Sequence, residues 1–134
     1  MVDAIGARPR AQRLKARREF LYVARGRSQA RPGLVVQMRA NRTRTDAYGV
    51  GFTATKKVGN AVVRNRCKRR LRAAARELLP RLGQAQTDYV FVARLQTPAR
   101  TWVGLLDDME SALITLSRPR PALKPADRAS RSTL

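Results

Sequence analysis

Lys56-Lys57-Val58-Gly59-Asn60-Ala61-Val62-Val63-Arg64-Asn65-Arg66-Cys67-Lys68-Arg69 is followed without a break by Arg70-Leu71-Arg72-Ala73-Ala74-Ala75-Arg76. Val63, Cys67, Leu71, Ala74, Ala75 and Leu78 recur at helical spacing, which predicts a helix from about Asn60 to Leu79, stopped by Pro80. Its cations are crowded: Arg64, Lys68 and Arg72 form one i,i+4 row, and Asn65, Arg69, Arg72 and Arg76 form an adjoining row. Like charges at that spacing cost a few tenths of a kcal/mol per pair. No acid stands between Lys56 and Arg76 to offset them, so a polyanion is the expected relief. Arginine matches a phosphate or a guanine edge with two parallel donors. Asn65 both donates and accepts, which a purely electrostatic face does not require.

Outward from this helix, Tyr48 to Thr55 alternates cleanly and reads as a strand. Tyr48, Val50, Phe52 and Ala54 make a core-like face. Gly49, Gly51, Thr53 and Thr55 make a small polar one, either a solvated surface or a place where another chain approaches the backbone. Pro32-Gly33 opens a strand from Leu34 to Arg39, and Asn41 to Asp46 is a polar connection. Before them, Leu14, Ala16, Phe20, Leu21, Val23 and Ala24 predict a short amphipathic helix from Arg13 to Arg25, with Gly26 as its stop. After the basic helix, Asp88 to Leu95 is a continuous apolar run expected of a buried strand. A last helix from about Ala99 to Leu116 carries Trp102, Leu105, Leu106, Met109, Leu113 and Leu116. Residues 1–11 read as a flexible basic arm, 12–117 as the folded domain, and 118–134 as a disordered basic tail rich in Pro and Ser. The class is a small single-domain α+β fold.

Composition narrows the function. The 134 residues hold 29 Lys and Arg against 9 Asp and Glu, a formal charge of +20, and 43% are apolar, enough for one core. There is no histidine, which removes Ser-His-Asp and Cys-His catalysis. A single cysteine, Cys67, allows no internal disulfide and suggests no disulfide-linked partner; its place in the apolar stripe makes it a core residue. Asp107, Asp108 and Glu110 are the only clustered acids and read as the polar face of a helix, so no catalytic residue is expected of this chain. No run of about 18 apolar residues is present to span a membrane, and Met1 to Arg13 lacks the apolar core of a signal peptide. These features suit a cytoplasmic nucleic-acid-binding protein. No helix-turn-helix precedes the basic helix, which favours RNA over DNA, bound by shape and backbone. Gln37, Arg39, Thr53 and Thr55 on the adjoining sheet face offer room for a single strand.

The fourteen residues from Lys56 to Arg69 resemble the K-K-x-G-x-A-V-x-R-N-R-x-K-R stretch of the bacterial ribonuclease P protein family. Arg13-Leu14 with Phe20 and Val23, Gly51-Phe52-Thr53-Ala54-Thr55, and Asp88-Tyr89-Val90-Phe91-Val92-Ala93-Arg94 extend the likeness from about Arg13 to Leu116. The resemblance implies an αβββαβα order with a small mixed sheet, a left-handed βαβ crossover at the basic helix, and a fold like that of ribosomal protein S5. It therefore asks for one more strand between Gly26 and Asp46.

It also implies function. Such a protein binds the catalytic RNA subunit and assists removal of the 5′ leader of precursor tRNA, with RNA performing the hydrolysis and Mg2+ held mostly through RNA. On this reading Lys56, Lys57, Asn60, Arg64, Asn65, Arg66, Lys68, Arg69 and Arg72 contact the RNA subunit. A cleft between the first helix and the sheet, with Arg13, Phe20, Gln37, Arg39, Thr53 and Thr55, receives the leader. Family aromatics are replaced here by Ala24 and Gln37, which leaves Phe20 either as stacking platform or as simple core. No protein-bound cofactor or metal is assigned. The competing reading is a structural RNA-binding protein of ribosomal type; a protein-only nuclease and a DNA-binding module are further alternatives.

Overall fold

The computed structural model describes residues 9–118. The elements are β1 (Arg10–Arg13), α1 (Arg17–Ala24), β2 (Arg27–Arg31), β3 (Leu34–Ala40), β4 (Ala47–Thr53), a 3-10 turn (Lys56–Val58), α2 (Ala61–Leu82), β5 (Thr87–Ala93) and α3 (Trp102–Ser117). After β1 this is the expected αβββαβα order. The strand asked for between Gly26 and Asp46 is β2. It pairs antiparallel with β3, Arg31 opposite Leu34, so that Pro32-Gly33 is a two-residue hairpin turn.

The five strands lie in the order β1-β4-β5-β3-β2. β1, β4 and β5 are parallel, whereas β3 runs antiparallel to both of its neighbours. The alternation in β3, β4 and β5 sends Leu34, Val36, Val50, Tyr89 and Phe91 to one face, where α2 and α3 cover them. There Phe52 stacks on Phe91 with centroids 5.5 Å apart, and Tyr48 meets Tyr89 edge-on at 6.0 Å. The Tyr89 phenol accepts a hydrogen bond from the Gln84 N–H, and burial pushes its pKa up to about 12.

The opposite face carries a smaller cluster of Leu14, Val23 and Val90, with Phe20 and Val92 packed against it under α1. This settles the small face of β4. A Cβ on Gly51 would lie 2.6 Å from the Phe20 ring, so glycine is needed there for α1 of the same chain to approach.

Several boundaries differ from expectation. The predicted arm of residues 1–11 ends early, because Arg10 and Ala11 belong to β1, where the Arg10 N–H bonds the Asp46 carbonyl at 3.0 Å. All four residues of β1 are exposed, so it shows no apolar alternation. Residues 1–8 of that arm, and 119–134 of the predicted tail, lie outside the described residues. α1 is shorter than predicted, starting at Arg17, with the Glu19 carboxylate accepting the N–H groups of Lys15 and Ala16 at 2.8 Å each.

Pro80 does not end the basic helix, which continues to Leu82. The buried Leu78 and Leu79 anchor that last turn to the core, offsetting a proline cost of about 3 kcal/mol. α3 begins at Trp102, because the Thr101 hydroxyl accepts the Gly104 N–H at 3.0 Å.

Candidate nucleic-acid interface

α2 starts in a defined place. Gly59 has φ +152°, and a Cβ there would meet Val63 at 2.9 Å. The Asn60 side chain then accepts the Val63 N–H at 3.0 Å, and the Arg64 Nη1 donates to the Gly59 carbonyl at 2.8 Å. Asn60 and Arg64, both expected to touch RNA, are thus tied into the helix start. Lys56 and Lys57 are exposed on the turn just before it.

Beyond this start the helix rotates its cations about 100° per residue. Arg64 and Arg66 therefore point nearly opposite ways, and the side chains of Arg64, Asn65 and Arg66 fan around the helix. Asn65, Lys68, Arg72 and Arg76 turn toward β1 and β4, where they border a groove of about 720 Å³. Arg66 and Arg69 stand exposed on the outer side. Arg70 turns toward α3 and donates to the carbonyls of Thr97, Pro98 and Arg100 at 2.5 to 3.0 Å.

The groove has a basic wall and an apolar floor. Gln12, Arg13 and Phe20 face it from the β1–α1 side, over a floor that includes Tyr48, Phe52 and Leu79. The Arg72 guanidinium lies 5.4 Å from the Phe52 ring centroid, a cation–π contact that holds it over the floor. No salt bridge engages Lys68, Arg72 or Arg76 among the described residues. Phe20, half-buried on Gly51, packs with the small cluster and also borders the groove.

Arg13 and Phe20 thus share a groove with residues that the sequence had grouped on the basic helix. Gln37, Arg39, Thr53 and Thr55 do not border it. Arg39 lies on the far side of α1, stacked on the Tyr22 ring at 4.1 Å. Gln12, Arg76 and Tyr22 were not among the expected site residues. Arg76 was legible on the Asn65–Arg76 row; Gln12 and Tyr22 carry no pattern of their own.

Three acids, Asp88, Glu19 and Asp108, are spent on the fold. Asp88 is buried between the Arg44 Nε and the Asn41 Nδ2, and Arg44 also reaches Glu19 at 3.5 Å. Backbone hydrogen bonds from Ala16 and Lys15, then Arg44, hold the Glu19 carboxyl below its ordinary pKa. Asp108, expected on a polar face, is instead buried: it accepts the Gly33 N–H at 2.8 Å and forks with Arg100 at 2.9 and 3.1 Å. Among the described residues no three His, Cys, Asp or Glu side chains come together as metal ligands. Cys67 is fully buried, and that burial pushes its thiol pKa up, which suits a core residue rather than a nucleophile. The arrangement is equipped to hold polyanions and stack bases.

The family model described as Ribonuclease P matches residues 9–117. The chain is 48% identical over 106 residues to a ribonuclease P protein component of Caulobacter vibrioides, covering 79% of this chain and 71% of that protein. It is 50% identical over 111 residues to the one from Ruegeria pomeroyi, covering 81% and 88%. The solved RNase P protein of Staphylococcus aureus superposes with a TM-score of 0.65 at 27% identity, covering 78% of this chain and 94% of that one.

Proposed function

The chain belongs to the ribonuclease P protein family, and from that premise we propose that its basic helix serves two RNAs at once. The protein is a subunit of the ribonucleoprotein endoribonuclease that acts in tRNA 5′ processing. In this reading the groove between α2 and β1 receives the 5′ leader of precursor tRNA. Lys68, Arg72 and Arg76 neutralise its phosphates, Asn65 bonds a base or sugar edge, and Phe20 offers a ring to a leader base. Arg66 and Arg69, with Lys56 and Lys57, face the RNA subunit.

The observation that carries this reading is the groove itself, lined by the Phe20 ring and by four cations without a salt bridge among the described residues, Arg13, Lys68, Arg72 and Arg76. Placing positive charge between leader and RNA subunit offsets their mutual repulsion, so fewer magnesium ions are needed to bring them together. Magnesium belongs to the RNA in this scheme, since the described carboxylates are dispersed or already bonded. Among the described residues no helix is long and apolar enough to cross a membrane. The complex works in the cytoplasm, where its precursor tRNAs are made.

Reconstitution with the cognate RNA subunit at low magnesium tests the reading. The protein should raise precursor cleavage, and no gain would sink it. Phe20→Ala should reduce the preference for precursor over mature tRNA by roughly tenfold. Arg66→Ala with Arg69→Ala should instead weaken assembly with the RNA subunit. The same defect in both variants would abolish the two-sided division of α2.

A further inference from the structure

On the other side of α1 from Phe20 lies a second hollow, of about 800 Å³, bordered by Arg18, Tyr22, Arg39 and Arg42. Positions 20 and 22 are about 200° apart on a helix, so their side chains leave α1 on opposite sides. The Arg39 guanidinium sits 4.1 Å from the Tyr22 ring centroid. Its Nη1 donates to the Tyr22 carbonyl at 3.0 Å, and the Tyr22 hydroxyl donates to the Ala40 carbonyl, so the stack is braced from both ends. Nε and Nη2 of Arg39 make no hydrogen bond among the described residues. The side chains of Arg18 and Arg42 make neither hydrogen bonds nor salt bridges among them.

Two acids border the same hollow, Glu19 and Asp88. Both are already engaged: Glu19 by two backbone N–H groups and Arg44, Asp88 by Arg44 and Asn41. What the hollow presents to a ligand is therefore cationic, with a braced Tyr–Arg stack at its edge. A planar stack of that kind takes the face of a nucleobase, and the flanking guanidinium groups suit its phosphates. A base in a duplex offers no free face, so the ligand must be an unpaired nucleotide.

We propose that this hollow binds an unpaired nucleotide of the RNA subunit, as a contact separate from α2. The proposal rests on the assignment of the groove to the leader. A leader lying along Phe20 is on the wrong side of α1 to reach Tyr22, which leaves the RNA subunit as the source.

Cys67 is fully buried, so a thiol-directed photo-crosslinker can be placed at Arg42→Cys in the reconstituted holoenzyme carrying precursor tRNA. The expected product joins residue 42 to an unpaired nucleotide of the RNA subunit. A crosslink to the leader, to paired RNA only, or to no RNA would overturn the proposal. In parallel, Tyr22→Leu with Arg39→Gln should weaken assembly with the RNA subunit by roughly tenfold while the preference for precursor over mature tRNA stays as it was. Tyr22→Phe with the native Arg39 restores the ring and should recover the affinity, which separates stacking from loss of fold. Unchanged assembly in the double variant would also overturn the proposal. The same crosslinker at Arg76→Cys should reach the leader. Its failure to do so counts against the groove assignment and is read independently of the product at residue 42.

Discussion

The two flanks of α2 carry the same residue type to opposite ends. On the flank facing α3, Arg70 spends its guanidinium on three carbonyls of the β5–α3 loop, and Arg81 pairs with Glu110 at 2.7 Å. On the flank facing β1, Lys68, Arg72 and Arg76 have no salt bridge among the described residues. One set of cations builds the domain; the other is held apart from acids and remains available to phosphates. Net charge alone does not distinguish them, and neither does residue type. The distinction is which neighbour the helix turns each side chain toward.

The sharpest way to break this comparison is to remove the open flank. Lys68→Gln, Arg72→Gln and Arg76→Gln together should lower affinity for precursor tRNA in the holoenzyme on the order of 10²-fold, and reduce the salt slope by roughly 2 to 3. Thermal unfolding should show only the loss of the Arg72–Phe52 contact, about 0.5–1 kcal/mol, since none of these side chains is in a salt bridge among the described residues. Unfolding at a much lower temperature would mean that this flank, too, is structural.

The closed flank predicts the reverse. Arg70→Ala leaves loop carbonyls without their donors and should cost about 2 kcal/mol of stability in denaturant titrations. Affinity of the folded variant for RNA should change less than twofold. A loss of affinity with unchanged stability would place Arg70 among the RNA contacts.

A smaller effect tests the groove's other wall. Gly51→Ala puts a methyl 2.6 Å from the Phe20 ring. It should cost about 1 kcal/mol and reduce the preference for precursor tRNA severalfold, provided Phe20 stacks on the leader. Lost stability with an unchanged preference would reduce Phe20 to packing alone.

The smallest expected effect concerns Glu19, where α1 meets the loop carrying Arg44. Its carboxyl pKa is lowered in the folded state by the Ala16 and Lys15 N–H groups and then Arg44. In that window the unfolded chain binds the extra proton, so stability rises with pH. The contribution is present above the ordinary carboxylate pKa and is lost as pH falls through the lowered value. Glu19→Gln should therefore lose less stability than the native protein as pH falls through the carboxylate range, measured by urea unfolding. An identical pH dependence would show that Glu19 is not tied to the fold.

The elements that were legible from the chain are those with a repeating apolar pattern: β3 and β4 by twos, α1, α2 and α3 at helical spacing, and β5 as an apolar run. β1 and β2 were not, because Arg10–Arg13 and Arg27–Arg31 are polar edge strands whose conformation comes from pairing with β4 and β3. Pro80 misled for a related reason: its local preference is weaker than the packing of the leucines beside it. The candidate site was legible in kind and not in layout. Arg13 and Phe20 were expected in one cleft with Gln37 and Arg39, yet α1 lies between Phe20 and the Tyr22–Arg39 stack.

By itself the sequence determined that this is a small α+β protein for RNA, since a charge of +20, the absence of histidine and an acid-free basic helix are covalent facts that no fold can alter. Only the tertiary structure decided which cations are bound into the fold and which stay outside salt bridges among the described residues. That depends on the rotation of α2 against its neighbours and on acids brought from distant positions. Side chains far apart in the chain compete for the same charges only once the core has closed.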